Sequence, residues 1–464
     1  MADIRNIFGF IPEVRSPDEK KLGFKIKAKW TLIILGVFFI LSNVTLFGLS
    51  SNALSRFEHL AILMGTNFGS IISLGIGPIV MASIILQLLT GAGIINIDTT
   101  TLEGKKFFQG VQKILIFFFI VFEACVYVLM NALQANPGFT GIVIFQLILG
   151  GLAIFYMDDI CKKWGFGSGI SLFIGAGVSW RLMTSAFQFI NAQGQNCLLD
   201  FKSISCSGKV LVLIQSLVNR YPVEFMSAGA ALIATVIIFL TVVWVQSLKI
   251  EIPLSFGRVR GYGIKWPLSF FYASVIPVIL TAALIAQLQM LGGILENWLG
   301  HATFLGHFSN GTAISGFAFW LGSTNLLELV IRGGFSGRYL LQGLTHILSF
   351  SILSTLFAVV WVKTSGMDAK AQAQKISASG LQVAGFRQDN RILESILDRY
   401  IMPLTVMGGI AVGLLASVTN LLGALVSGTA ILLVIMITYQ FYQQIAKDHM
   451  EDMNPAMKKF MGGL

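Results

Sequence analysis

The 464-residue sequence predicts an all-α membrane protein, with ten transmembrane helices in two inverted five-helix halves around a central pore. Three observations carry that reading. Hydrophobic residues make up 55% of the chain and charged residues 12%, about half the charged share of a soluble globular protein, and mean hydropathy is +0.78. Ten apolar runs follow one another, each near the ~20 residues needed to cross a hydrocarbon core. Pro- and Gly-interrupted runs recur at matching places in the two halves, as in proteins whose inverted repeats flank a substrate path. An ordinary soluble enzyme, a disordered chain and a disulfide scaffold are excluded. The four Cys include no Cys-x-x-Cys, so no metal or redox motif and no cofactor is expected.

Residues 1–29 are charged, carry Pro12 and Pro17, and lack the apolar core and cleavage site of a secretory signal. They read as a cytoplasmic N-terminal segment. The apolar runs then fall at 30–48, 75–91, 111–133, 139–157, 169–190, 225–246, 270–293, 338–362, 400–422 and 428–446. Residues 49–74, with Arg56, Glu58, His59 and several Gly, are too polar to cross alone and read as a re-entrant piece.

With an even number of spans both termini share one side, and the loops on that side hold 24 of the 32 Lys and Arg. The positive-inside rule makes that side cytoplasmic and the protein a multi-pass cell-membrane protein. The net charge of +10 is therefore mainly topogenic. Two cytoplasmic loops exceed that need: 247–268, with Arg258 and Arg260, and 363–399, with Arg387 and Arg391. Projecting from one face, they suit an acidic partner such as RNA or a ribosome. On the other side, Cys197 and Cys206 sit in the outer loop 191–224, either as a disulfide or as two free thiols. The triplet Asn310-Gly311-Thr312 has the form of a glycosylation sequon, a pattern common by chance.

The halves, 30–190 and 225–464, carry matching signals. Gly77-Pro78-Ile79-Val80 in the second span has its counterpart in Ile276-Pro277-Val278-Ile279 of the seventh. Gly167-Ser168-Gly169-Ile170 opens the fifth span as Gly428-Thr429-Ala430-Ile431 opens the tenth. Five spans is an odd number, so repeats of this kind sit in opposite orientations and their second and last spans meet at the interface between halves. Ile76 and Val80, and Ile170 and Ile174, are spaced i, i+4 and each pair faces one way. Such pairs read either as ordinary packing or as an aliphatic constriction able to seal a pore. Glu123 is the one deep carboxylate, a structural hydrogen-bond partner or a gating group; Arg181 and His346 complete a set too sparse for an ion relay. No Ser-His-Asp set, His-Glu-x-x-His motif or paired carboxylates mark an intramembrane hydrolase.

These residues resemble the SecY family, the central subunits of protein-conducting channels. The resemblance rests on Leu74-Gly75-Ile76-Gly77-Pro78-Ile79-Val80, the starts of the fifth, seventh and tenth spans, Ile11-Pro12-Glu13-Val14 and Met367-Asp368-Ala369-Lys370, and is strongest to the archaeal branch. It implies a passive pore for unfolded polypeptide that also releases transmembrane segments sideways into lipid, and is not an enzyme. It places a pore ring at Ile76, Val80, Ile170, Ile174, Ile279 and Leu433, and makes 191–224 an external hinge. A plug at about 55–68 would comprise Arg56, Phe57, Leu60, Ile62, Leu63 and Met64. The lateral gate, between spans two and three and spans seven and eight, would include Ser83, Gln87, Val275 and Thr281. Val275 stands where many relatives have Asn, which removes a polar group from that gate. Arg387, with Arg258 and Arg260, would bind the ribosome. Implied partners are SecE/gamma and beta subunits, the ribosome, signal sequences, nascent polypeptides and membrane lipid, with no direct DNA contact. The alternative from another class is a secondary transporter of a small solute, which would need a polar site at the midplane.

Overall fold

The computed structural model describes residues 13–18, 22–52, 66–91, 94–95, 97, 101–191, 195–199, 201, 204–256, 263–273, 276–309, 312–378, 381–383 and 390–453. In chain order the elements are α1 (Phe24–Asn43), β1 (Leu49–Asn52), α2 (Gly77–Gly91), α3 (Leu102–Leu129), β2 (Leu133–Ala135), α4 (Thr140–Trp164) and α5 (Gly169–Phe187). There follow α6 (Lys209–Asn219), α7 (Pro222–Ser247), β3 (Lys249–Phe256), β4 (Gly263–Ser269), α8 (Ile276–Leu299), β5 (His307–Ser309) and β6 (Thr312–Ser315). The chain continues with α9 (Phe317–Leu321), α10 (Leu326–Ile331), α11 (Gly337–Thr364), α12 (Ala369–Ala378), β7 (Leu381–Val383), α13 (Asn390–Leu421) and α14 (Gly428–Met453).

Hydrocarbon offers the backbone no hydrogen-bond partners, so apolar runs that cross it must close their own bonds as helices. Eight helices among the described residues are long and apolar enough to do so: α3, α4, α5, α7, α8, α11, α13 and α14. The two remaining expected runs fall on α1 and α2. Helix α1 begins at Phe24 and takes in Lys25, Lys27 and Lys29, so its start precedes the apolar run. Helix α2 has only 15 residues because residues 66–76, just before it, are not helical. That stretch closes its polar groups locally: Gly69 N donates to Ser73 Oγ at 2.8 Å, Ser73 Oγ donates to Ser70 O at 2.5 Å, and Thr66 Oγ1 donates to Ile72 O.

The start of α1 and the junction between α4 and α5 lie at one end of the bundle, where Phe166 N donates to Thr31 Oγ1 at 3.1 Å. The end of α14 lies there too, tied by Lys27 Nζ to Asp448 Oδ2 at 2.9 Å. Residues 13–15 clip this end together. Glu13 pairs with Lys113 of α3, Val14 N donates to Asp159 Oδ2 at 3.2 Å, and Lys163 Nζ donates to Val14 O at 2.6 Å. The Lys113 hydrogen bond holds the Glu13 carboxyl below its ordinary value.

The two basic loops do not project separately. β3 pairs antiparallel with β4 from Lys249 opposite Ser269 to Ser255 opposite Gly263, and β7 adds to its other edge with Leu254 opposite Val383. Loops 247–268 and 363–399 thus share one three-stranded sheet. The inward residues Ile252 and Leu268 join Tyr272, Ile376, Leu397 and Ile401 in a second apolar cluster, separate from the main one. The all-helical expectation therefore holds for the membrane body, with this small sheet added at the terminal end and two short antiparallel pairs, β1–β2 and β5–β6, in the connections.

Helices α5 and α14 begin in the same way. Gly169 approaches α4 so closely that a Cβ there would lie 2.7 Å from Asp158 Cα, and Asp158 Oδ1 accepts from Ile170 N at 3.0 Å. Gly428 approaches α13 so that a Cβ would lie 2.1 Å from Thr419 C, and Asn420 Oδ1 accepts from Thr429 N at 2.8 Å. A side chain from the preceding helix satisfies an otherwise orphaned N–H in each case.

Candidate pore and gate

Each proposed constriction residue sits at the beginning of a helix. Ile76 directly precedes α2, and its carbonyl accepts from Val80 N at 3.0 Å, so the pair does stand one turn apart. Ile170 and Ile174 lie in the opening turns of α5, Ile279 in the first turn of α8 and Leu433 in the second turn of α14. Helices α5 and α8 start from the terminal end, α2 and α14 from the opposite one. Helix α8 packs on both α2 and α14, and α14 on α5; Ile79 and Ile170 line one cavity and Ala282 and Thr429 another, so the starts of α2 and α5, and those of α8 and α14, come together in pairs. Ile76, Val80, Ile174, Ile279 and Leu433 are buried in one apolar cluster, with Ile170 partly buried against it.

Two cavities approach this region from opposite ends. At the terminal end a cavity of about 890 Å³ runs from Lys106, Lys162 and Asp159 down to Ile79, Phe155 and Ile170. From the other end a cavity of about 390 Å³ is lined by Ala282, Ile285, Leu321, His346, Asn420 and Thr429. Ala282 lies one turn beyond Ile279, and Thr429 one turn before Leu433. Ile170 thus borders the charged cavity, and Ile279 and Leu433 each lie one turn from a residue that lines the polar one.

The contact between α2–α3 and α8–α11 is closed. Helix α2 packs on α8 and α11, and a Cβ on Gly91 would lie 3.0 Å from Val360. Tyr127 Oη donates to Met290 Sδ at 3.3 Å, and Asn297 Nδ2 to Asn131 O at 3.1 Å. The expected gate residues act differently from one another. Ser83 Oγ accepts from Gln112 Nε2 at 2.7 Å, so it ties α2 to α3 on one side of the contact rather than bridging it. Thr281 is fully buried and donates to its own helix at Pro277 O, 2.8 Å away. Gln87 is buried with Oε1 unpartnered.

A further polar pair faces across the contact deep in the apolar interior, Glu123 of α3 and Gln287 of α8. Both are buried and within reach of each other for a side-chain hydrogen bond, but the contact is loose, since Glu123 Oε2 and Gln287 Nε2 fall short of closed hydrogen-bond geometry. Gln287 was not singled out by the sequence reading; its only sequence signal is an amide in the interior of an apolar span.

Cys197 and Cys206 are bonded, with Cα atoms 5.3 Å apart. The expected plug residues Arg56, Phe57, Leu60, Ile62, Leu63 and Met64 lie outside the described residues, as do Val275, Arg258, Arg260 and Arg387.

A SecY family profile matches residues 70–442. The protein translocase subunit SecY of Methanothermobacter thermautotrophicus is 39% identical over 461 residues, covering 98% of each chain. A solved structure described as that of a protein conducting channel superposes with a TM-score of 0.82 at 35% identity, covering 97% of this chain and 98% of the other. Sec61 in the canine ribosome-channel complex from the endoplasmic reticulum superposes with a TM-score of 0.78 at 34% identity, with the same coverage. On the profile match and this near full-length identity, the chain belongs to the SecY family.

Proposed function

We propose that this chain is the pore-forming subunit of a protein translocase, which conducts unfolded polypeptide across the membrane and releases transmembrane segments sideways into lipid. The observation that carries this is the aliphatic cluster at the starts of α2, α5, α8 and α14, approached by cavities from opposite ends. Branched aliphatics yield around any passing side chain without binding it, and an empty apolar constriction dewets and stays closed to ions. Ile76, Val80, Ile170, Ile174, Ile279 and Leu433 form that seal. The plug at 55–68 closes it from the outer side.

The halves 30–190 and 225–464 are inverted repeats hinged at 191–224, and the paired caps at Ile170 and Thr429 support this. Sideways release opens the α2–α3 contact with α8–α11. Its loosely bonded Glu123–Gln287 pair weakens the shut state, since burying polar groups whose hydrogen bonds are imperfect costs free energy. The sheet at the terminal end, with Arg258, Arg260 and Arg387, faces the cytosol and docks a ribosome. Both termini are cytoplasmic and the membrane is the plasma membrane. SecE/gamma and beta subunits complete the assembly. Signal sequences and nascent polypeptides are the cargo. The solute-transporter alternative gains no support, because the relative matched over nearly its whole length is a translocase subunit.

Reconstituted in liposomes with its partner subunits and ribosomes translating a secretory chain, the protein should shield that chain from added protease. Protection no better than in liposomes lacking it contradicts the proposal.

A further inference from the structure

Helix α6, within the stretch expected to be an external loop, is built inside out. Its buried side chains are Gln215 and Ser216, while Ile214, Leu217 and Val218 are 46%, 65% and 52% exposed. Gln215 explains the inversion. Its Oε1 accepts from Cys206 N at 3.0 Å, and its Nε2 donates to Phe201 O at 2.9 Å and Ile204 O at 2.7 Å. The polar face of α6 thus holds the disulfide-closed loop, and the apolar face turns away from the protein. In water that arrangement would expose apolar surface for no gain.

Helix α7 locates this face relative to the bilayer. Its exposed apolar stripe runs from Val223 through Met226, Ile233, Ile237 and Leu240 to Trp244. At 1.5 Å per residue the stripe is about 32 Å long, one hydrocarbon thickness. Tyr221 and Trp244 mark its two ends, as aromatic residues do at membrane interfaces. The chain reverses at Arg220, the left-handed residue (φ 56°) that ends α6. Helix α6 therefore runs back beside α7: Leu213 packs over Gly229, and Lys209 shares a small cavity with Ser227, Ala230 and Ala231. From Tyr221 to Ala230 is about 13 Å along α7, below the boundary that Tyr221 marks. Lys209, the one charged side chain of α6, is at the deep end and lines that cavity together with Asn325 and Glu328, on the protein side. Arg220 is exposed at the shallow end, where a cation meets lipid phosphate.

We propose that α6 is a half-membrane helix, whose face of Ile214, Leu217 and Val218 lies among the lipid acyl chains of the leaflet opposite the termini and screens the disulfide-closed loop from them. The hinge between the halves is then held in the bilayer rather than in water. The occupant is lipid because the face continues the lipid-facing stripe of α7 at the same depth.

The test uses the assembled channel in proteoliposomes, with Cys125 and Cys161 replaced by Ser and a nitroxide on Leu217→Cys. Phe239→Cys on α7 serves as lipid control and Lys105→Cys as aqueous control. Val218→Cys serves as a second probe if Leu217→Cys fails to assemble. The expected result is access to oxygen and exclusion of a water-soluble nickel chelate, matching Phe239→Cys and several-fold below Lys105→Cys for the chelate. Nickel access equal to that at Lys105→Cys places the face in water and overturns the proposal. Exclusion of both reagents means that another protein segment covers it, which overturns it equally.

Discussion

Asp158 Oδ1 accepts a hydrogen bond from Ile170 N at 3.0 Å, and this one contact fixes where α5 begins and hence where Ile170 and Ile174 point. Asn420 does the same for Thr429 at the start of α14, at the opposite end of the bundle. In both, a glycine lets the capped helix approach the capping one. Lys162 Nζ, 2.5 Å from Asp158 Oδ2, offsets the charge of the buried carboxylate; the amide of Asn420 needs no such counterion.

Gly169→Val should displace the start of α5, because the nearest atom to its Cβ is backbone and cannot swing aside. Overpacking of this kind costs about 1–3 kcal/mol. The thermal midpoint of the purified channel should fall, and ion leak should rise as Ile170 and Ile174 shift. An unchanged midpoint with unchanged conductance would remove the cap from the account of the pore.

Replacing Glu123 and Gln287 together by Leu removes two buried, loosely paired polar groups from the shut gate. The closed state should gain about 1–2 kcal/mol, a factor of roughly 5–30 in its population. Marginally hydrophobic segments should then insert less often, while strongly hydrophobic ones insert as before. Insertion of a graded series of test segments reads this, and an unshifted threshold would show that the pair does not set it.

The Glu13 carboxyl titrates below its ordinary value of 4.5, so the clip with Lys113 stays intact through pH 4.5 and is lost only as pH falls through the depressed folded value. Glu13→Gln should behave at neutral pH as the native chain does in stronger acid. A fluorescent probe near Arg15 should gain mobility in both cases. Equal mobility in the native chain and Glu13→Gln at pH 7 would count against the clip.

Cys197→Ser with Cys206→Ser opens a short loop, and loop-entropy arguments put the loss at about 2–3 kcal/mol. The thermal midpoint should drop, and added reductant should lower that of the native protein to match. A midpoint insensitive to both changes would mean that the loop is held by Gln215 alone.

Much of this was legible in the sequence. Lipid and buried packing both demand apolar side chains, so runs such as 139–157 and 225–246 reveal their helices directly. The starts of α2 and α8 were legible too, because Pro78 and Pro277 punctuate them alike. Tertiary relations were not. Asp158 and Ile170 are 12 residues apart across a turn, and nothing in composition marks the carboxylate as a cap. Glu123 and Gln287 meet only when α3 packs on α8. The sheet escaped notice because β3 and β4 each carry a Pro and few branched residues, and because β7 joins them from more than a hundred residues away. Helix α6 escaped because its 11 residues are too short to span, and its buried polar face runs against the usual pattern.

The most direct test of the central claim is site-specific crosslinking from a probe at Ile279, with a ribosome stalled on a secretory nascent chain. Phe47, 67% exposed and away from the aliphatic layer, is the control position. The account predicts a nascent-chain adduct at Ile279 and none at Phe47. With ribosomes demonstrably bound, no adduct at Ile279, or equal adducts at both positions, would contradict it.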